Sequence, residues 1–198
     1  MAVIMGAVVS LDGYIAYPDD SVGALFDWYG NGDVEWYGTD PGRPFRTSQA
    51  SADYCREQWG RIGVSVIGRR LFDITNGWEG IPPAGDHVVV VTHRPVNGWD
   101  HPDAPFTFVG SVQEGIATAR ELAGDTDVSV MAGDIGGQAL AAGLVDELTV
   151  DLVPMIVGEG RPFFGNAALG TTLLDDPDDV VQGDRVLHLR YRVGRGDG

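Results

Sequence analysis

Three short segments gather residue types that bind anions. Gly68-Arg69-Arg70-Leu71-Phe72 follows the apolar run 64–67. Thr92-His93-Arg94 closes the run that starts at Val88. Gly133-Asp134-Ile135-Gly136-Gly137-Gln138 follows the run 128–132. Glycine allows a backbone to approach a ligand closely. A helix that starts there offers free N–H groups and the positive end of its dipole. Arginine adds forked, charge-assisted hydrogen bonds. On a chain of net charge −16, Arg69, Arg70 and Arg94 at neighbouring strand ends form a local anion site. The ligand this chemistry suits carries phosphate.

Other groups could react but read better as structure. Cys55 is the one cysteine, so an internal disulfide is excluded and a cysteine-based metal cluster has no basis; no metal site is expected. Its helix-like surroundings suit a small buried hydrophobe. Asp146-Glu147 could be a carboxylate pair for acid–base work, but it reads better as the entry to a strand. Among the histidines, His93 lies at a strand end within reach of a phosphate. His87, His101 and His188 read as surface or turn residues.

Something must hold the glycine–arginine segments side by side. Apolar runs of strand length recur at 3–9, 64–67, 88–92, 106–109, 128–132, 147–153 and 186–193. Near-continuous valine and isoleucine indicate strands buried on both faces, as in a parallel sheet. Helices fall between them. Ser48 is placed to cap a helix ending at Gly60, and Ser111 with Glu114 makes a capping box for residues 112–123. A third helix covers 135–142, with Asp134 as its expected cap. The alternation predicts an α/β fold: one domain over residues 1–198, with a mixed, mostly parallel sheet flanked by helices. The last two runs have no helix between them, and Asp151 and Arg190 break their apolar pattern. They are expected to be antiparallel. Residues 17–46, rich in Gly, Pro, Asp and aromatics, are expected to be a long loop over a ligand or anchored by its own rings.

Composition narrows the class. The 198 residues, 43% hydrophobic and 21% charged, suit a globular domain. The acidic balance disfavours nucleic acid and anionic membrane as partners. All 13 basic residues are arginine, so a lysine Schiff base and a P-loop lysine are excluded. The N-terminus lacks the basic region and cleavage site of a signal peptide. The expectation is a cytoplasmic protein with a small-molecule partner.

The ordered motifs resemble a known family. Val9-Ser10-Leu11-Asp12-Gly13-Tyr14-Ile15-Ala16 after the first run is similar to the opening of dihydrofolate-reductase-like proteins. The match is to the bacterial branch related to the reductase domain of the riboflavin deaminase–reductase. Ile67 to Phe72 resembles that family's strand-to-helix turn. Ala142-Gly143-Leu144-Val145-Asp146-Glu147-Leu148 and the segment from Val153 to Phe164 resemble its later signatures. The resemblance implies a dihydrofolate-reductase-like domain using NADPH as hydride donor, and a homodimer. It implies that Val8, Ile15 and Ala16 border the nicotinamide. Gly68, Arg69, Arg70 and Leu71 would hold the pyrophosphate and adenosine-side phosphate. Thr92, His93 and Arg94 would lie near the adenine ribose and its 2′-phosphate. Gly133, Asp134, Ile135, Gly136, Gly137 and Gln138 would pass under the dinucleotide, although Asp134 places a negative charge there. Hydride transfer also needs a proton. By the family's pattern Asp53, in the first long helix, is the catalytic candidate, with Asp27 and Glu35 as rivals and Trp28 beside them on the substrate side. The reading is an NADPH-dependent reductase of a small planar heterocycle or carbonyl compound. The alternatives are a dinucleotide-, pterin- or flavin-binding module without turnover, and a riboflavin-pathway pyrimidine reductase. No zinc deaminase motif accompanies the latter.

Overall fold

The computed structural model describes residues 1–194; residues 195–198 of the expected domain lie outside the described residues. In chain order it comprises β1 (Val3–Ser10), β2 (Tyr14–Ala16), β3 (Val34–Tyr37), β4 (Pro44–Thr47), α1 (Gln49–Gly60), β5 (Ile62–Gly68) and α2 (Arg69–Thr75). There follow β6 (His87–Val91), β7 (Phe106–Val109), α3 (Val112–Ala123), β8 (Asp127–Met131), α4 (Asp134–Ala141), β9 (Glu147–Val153), β10 (Arg161–Pro162), β11 (Asp179–Gln182) and β12 (Leu187–Arg192).

Eight strands form one sheet in the order β11-β12-β9-β1-β8-β5-β6-β7. From β9 to β7 every neighbour pair is parallel, while β12 and β11 run antiparallel at one edge. This is the mixed α/β sheet that the sequence predicts, with β11 added at the edge. Its short VVQ run between Asp and Gly residues carried too little pattern to be read as a strand. Val64, Val66, Val88, Val89, Val90, Val128 and Val130 are all buried on the central strands. Each such side chain contributes about 1.5–3 kcal/mol by leaving water.

The helix starts test the capping rules. Ser48 Oγ accepts from Ser51 N–H at 3.3 Å, and Ser111 Oγ accepts from Glu114 N–H at 3.2 Å. Glu114 completes a variant box by accepting from Gly110 N–H at 2.9 Å. Asp134 corrects the expectation for α4. Gly133 is the cap residue, and Asp134, in the first turn, instead accepts from the backbone N–H of Asn166 at 2.8 Å.

Residues 17–46 are more ordered than a long loop. A 3-10 turn spans Gly23–Gly30, and β3 pairs with β4 as a hairpin. Aromatic packing organises this region: Trp36 stacks on Phe45 at 4.5 Å, and both meet Trp59 of α1 edge-on. The segment is thereby anchored to α1 by its own aromatic rings.

Candidate functional site

The crossovers place a cleft. From β1 the chain passes over β8 to β5, and from β8 it passes over β1 to β9. Ligands of open α/β sheets bind beyond the carboxyl ends of strands where the winding reverses. Here those ends are Ser10, Gly68, Val91 and Met131.

At the centre of this edge, Gly133 adopts φ +94, which a side chain would oppose. Its N–H donates to the Phe163 carbonyl at 2.7 Å. A Cβ there would stand 3.4 Å from Ile15 Cδ1, and one on Gly68 would stand 2.9 Å from Ile135 Cγ1. The fold thus brings Ile15, Gly133, Ile135 and Gly68 together. Ala16 pairs with Arg161 beside them, and Val8 lies buried on β1 facing α1. Leu71 packs into the cluster of Ile67 and Phe72.

Two glycines of the α4 segment lie close against neighbouring backbone. A Cβ on Gly136 would meet the Met131 carbonyl at 2.8 Å, and one on Gly137 would collide with the Phe164 carbonyl. Both are buried packing positions: Gly136 lies against Met131 and Met5, and Gly137 lets the 163–167 segment lie on α4. Gln138 is exposed on the same helix. Helix geometry leaves the first-turn N–H groups of Asp134, Ile135 and Gly136 without an intrahelical partner.

The arginines are paired with acids. Arg69 donates to Asp73 at 2.6 Å and to the carbonyls of Arg94 and Pro95 at 3.1 Å, so it staples α2 to the chain after β6. Arg70 and Arg161 both donate to Asp20, at 2.7 and 3.0 Å. The Arg70 guanidinium, and after it Arg161, holds the Asp20 carboxyl below its ordinary range. Each cluster keeps one net positive charge. Arg94 meets Asp73 at 3.5 Å and is 71% exposed. It therefore has the most donors left to offer.

Beyond β6 and β7 lies a cavity of about 540 Å³ lined by Thr92, His93, Arg94, Trp99, Phe106 and Phe108, among others. Its floor rests on an unusual turn. After α2 the chain runs left-handed through Asn76, Gly77, Trp78, Glu79 and Gly80, with φ between +47 and +81. Such a conformation costs roughly 1–2 kcal/mol per residue with a side chain. Trp99 Nε1–H donates to the Asn76 carbonyl at 3.2 Å, and Glu79 meets His101 at 3.1 Å.

The proposed acids are placed otherwise than the family pattern implied. Asp53 is on the outer face of α1, 63% exposed, held by Gln49 and Arg56. Asp27 and Glu35 are exposed, and the Tyr37 hydroxyl and then Arg46 hold Glu35 below its ordinary range. Only Trp28 of that group points inward, stacked on Tyr29 at 3.9 Å. What α1 turns toward the sheet is Ser51, Ala52, Tyr54, Cys55 and Gln58. Burial pushes the Cys55 thiol well up, which keeps it unreactive.

A network that the sequence reading missed occupies that face. His188, expected at the surface, is fully buried. Its Nδ1 lies 2.6 Å from Asp151 Oδ1, and its Nε2 lies 2.9 Å from Ser51 Oγ. Tyr54 stacks on its ring at 4.6 Å, and Trp28 meets it edge-on at 5.2 Å. The break that Asp151 makes in its strand pattern was the one visible signal. The other conspicuous pair, Asp146-Glu147, lies at the opposite end of the strands. Asp146 accepts from Val3 N–H at 2.9 Å, and Glu147 pairs with Arg61 at 3.1 Å. Among the described residues, no helix is long and apolar enough to cross a membrane, and no group of three or more His, Cys, Asp or Glu could hold a metal ion.

No protein-family model matches the chain, and no curated protein does. Solved structures do. A Shewanella sp. PV-4 protein provisionally assigned to riboflavin biosynthesis superposes with a TM-score of 0.71 at 20% identity, covering 98% of this chain and all of that one. A pyrimidine reductase-like protein from Corynebacterium diphtheriae gives 0.61 at 16% identity, over 98% and 92%. A Thermotoga maritima diaminohydroxyphosphoribosylaminopyrimidine deaminase/5-amino-6-(5-phosphoribosylamino)uracil reductase gives 0.63 at 14% identity; this chain spans 56% of its length. At these identities the likeness is one of fold.

Proposed function

We propose that the protein is an NADPH-dependent reductase that transfers hydride to a small planar heterocycle or carbonyl compound. The observation that carries this is the alignment of apolar, glycine and cationic residues along the strand ends. Ile15 and Gly133, then Gly68 and Ile135, then the 540 Å³ cavity at Arg94 lie along successive strand ends. A dinucleotide needs such a run: an apolar wall for the nicotinamide, close backbone for the pyrophosphate, and aromatic and cationic groups for the adenosine end.

The residues present fit that ligand. Ile15 and Ala16, with Val8 beneath, would border the nicotinamide. The α4 first turn at Gly133, Asp134 and Ile135, with Gly68 and Arg70, would face the pyrophosphate. Thr92, His93 and Arg94 would take the adenosine-side phosphate. Arg69 and Leu71 contribute by fixing this arrangement. When bound, the cofactor supplies the hydride; the protein positions it and keeps water from the acceptor. The names borne by the Corynebacterium and Thermotoga proteins make a pyrimidine one member of the proposed substrate class.

The test is tryptophan-fluorescence titration with NADPH and NADH. A 2′-phosphate on Arg94 should add about 1.5–3 kcal/mol, or about ten- to a hundredfold in affinity. Equal dissociation constants would refute the preference, and binding of neither would refute the reductase reading.

A further inference from the structure

The buried imidazole leaves an acceptor open beside the cleft. Asp151 and Val8 are register partners on β9 and β1, and Asp151 and His188 are register partners on β9 and β12. All three side chains therefore share the face that α1 covers. Hydrogen-bond accounting assigns the imidazole tautomer. Ser48 Oγ–H donates to Ser51 Oγ at 3.2 Å, which leaves the Ser51 hydrogen for His188 Nε2. Nδ1–H then donates to Asp151 Oδ1. The carboxylate is thus clamped by one oxygen to a fully buried ring. Its Oδ2 has no partner among the described residues, and the side chain keeps 19% exposure.

A second, independent observation lies in the same aromatic cage. Trp28 Nε1 and Tyr54 Oη are buried without a hydrogen-bond partner. Trp28 is 1% and Tyr54 8% exposed, and both rings flank His188. Buried polar groups are nearly always satisfied, so such orphans ask for a partner that is not part of the chain. An open carboxylate oxygen calls for an N–H, and the two donors call for an acceptor.

We infer that Asp151 Oδ2 is a specificity-determining anchor that takes an N–H of the substrate ring, with Tyr54 and Trp28 donating to its acceptor atoms. His188 and Ser51 are positioning residues that hold the carboxylate in place. The inference deepens the reductase reading and rests on it only for calling the anchored molecule a substrate. It replaces Asp53, which faces solvent, with a strand carboxylate two residues before the carboxyl end of β9.

The test uses the full chain and two probes that differ only in N–H groups, uracil and 1,3-dimethyluracil. Binding is read from tryptophan fluorescence and from the ¹⁵N resonances of the His188 ring. The expected result is that uracil binds saturably and shifts the His188 Nδ1 signal, while dimethyluracil does neither. Asp151→Asn should weaken uracil at least tenfold and Tyr54→Phe severalfold, with NADPH affinity unchanged in both. Ser51→Ala should disturb the His188 tautomer signals and weaken uracil, and Ser51→Thr should restore both. Equal binding of the two probes, or of uracil to wild type and Asp151→Asn, overturns the inference. So does an unmoved His188 signal. Should Asp151→Asn fail to fold, the wild-type probe pair and Tyr54→Phe still decide. A wild type that binds uracil but not NADPH would sink the reductase reading and leave the anchor standing.

Discussion

The rim around Arg94 and the cage around His188 use polar groups in opposite ways. At the rim, Arg94 is 71% exposed and shares Asp73 with Arg69. Water screens these charges, so they cost little and contribute little to folding. In the cage, His188 is sealed and every nitrogen of its ring has a partner. There a missing partner is expensive, because burial without a hydrogen bond is not compensated by water. Substitutions at the rim carry small risk to the fold, whereas in the cage the proposed substrate contact would be coupled to stability.

The largest expected effect comes from breaking the cage. His188→Leu removes the partner of both Asp151 and Ser51 and should cost about 3–5 kcal/mol in urea unfolding. A loss below 1 kcal/mol would show that the two regions do not differ as described. Next is the floor of the rim. Gly77→Ala meets φ +57 and places a Cβ 2.8 Å from Trp99. Left-handed strain and overpacking together should cost about 2–4 kcal/mol by the same measurement. Tyr54→Phe removes a hydroxyl that has no partner, and is expected to stabilise the unliganded protein by up to about 1 kcal/mol. Arg94→Gln should change stability by less than about 0.5 kcal/mol, yet abolish the preference for NADPH.

Acid sensitivity arises from carboxylates outside both regions. Asp12 accepts from Ser10 Oγ–H and from the N–H groups of Val157 and Gly158, pinning the turn beside β2. The Ser10 hydroxyl foremost, and then these backbone groups, lower its pKa from 3.8 to about 2. As pH falls through that window the unfolded chain binds more protons than the folded one, so stability declines. Asp20 acts in the same direction. The urea midpoint should drop between pH 4 and 2, and Asp12→Asn should flatten the drop.

Sequence pattern located the sheet well because burial on both faces leaves near-continuous valine, and it located the helix caps because Ser48 and Ser111 act within one turn. It singled out the strand-end segments because glycine and arginine stand out in an acidic chain. It failed where geometry depends on distant parts. Asp53 and Ser51 are two residues apart, and only the rotation of α1 against the sheet decides which faces inward. Ser51 meets His188 across 137 positions, and no local period encodes that. Asp134 satisfied the rule for a cap, but Asn166 supplied a better use for its carboxylate.

The left-handed turn from Asn76 to Gly80 has a consequence in time. Asn76, Gly77 and Gly80 favour that hand locally but Trp78 and Glu79 do not, and two of the groups that hold it come later in the sequence: Trp99 reaches back 23 residues to the Asn76 carbonyl, and His101 reaches 22 to Glu79. These two contacts form once the segment that carries them has returned against α2, which makes completion of the turn a late event in folding. In pulse-labelled hydrogen exchange, the amides around Trp78 are expected to gain protection after those of β5 and β6.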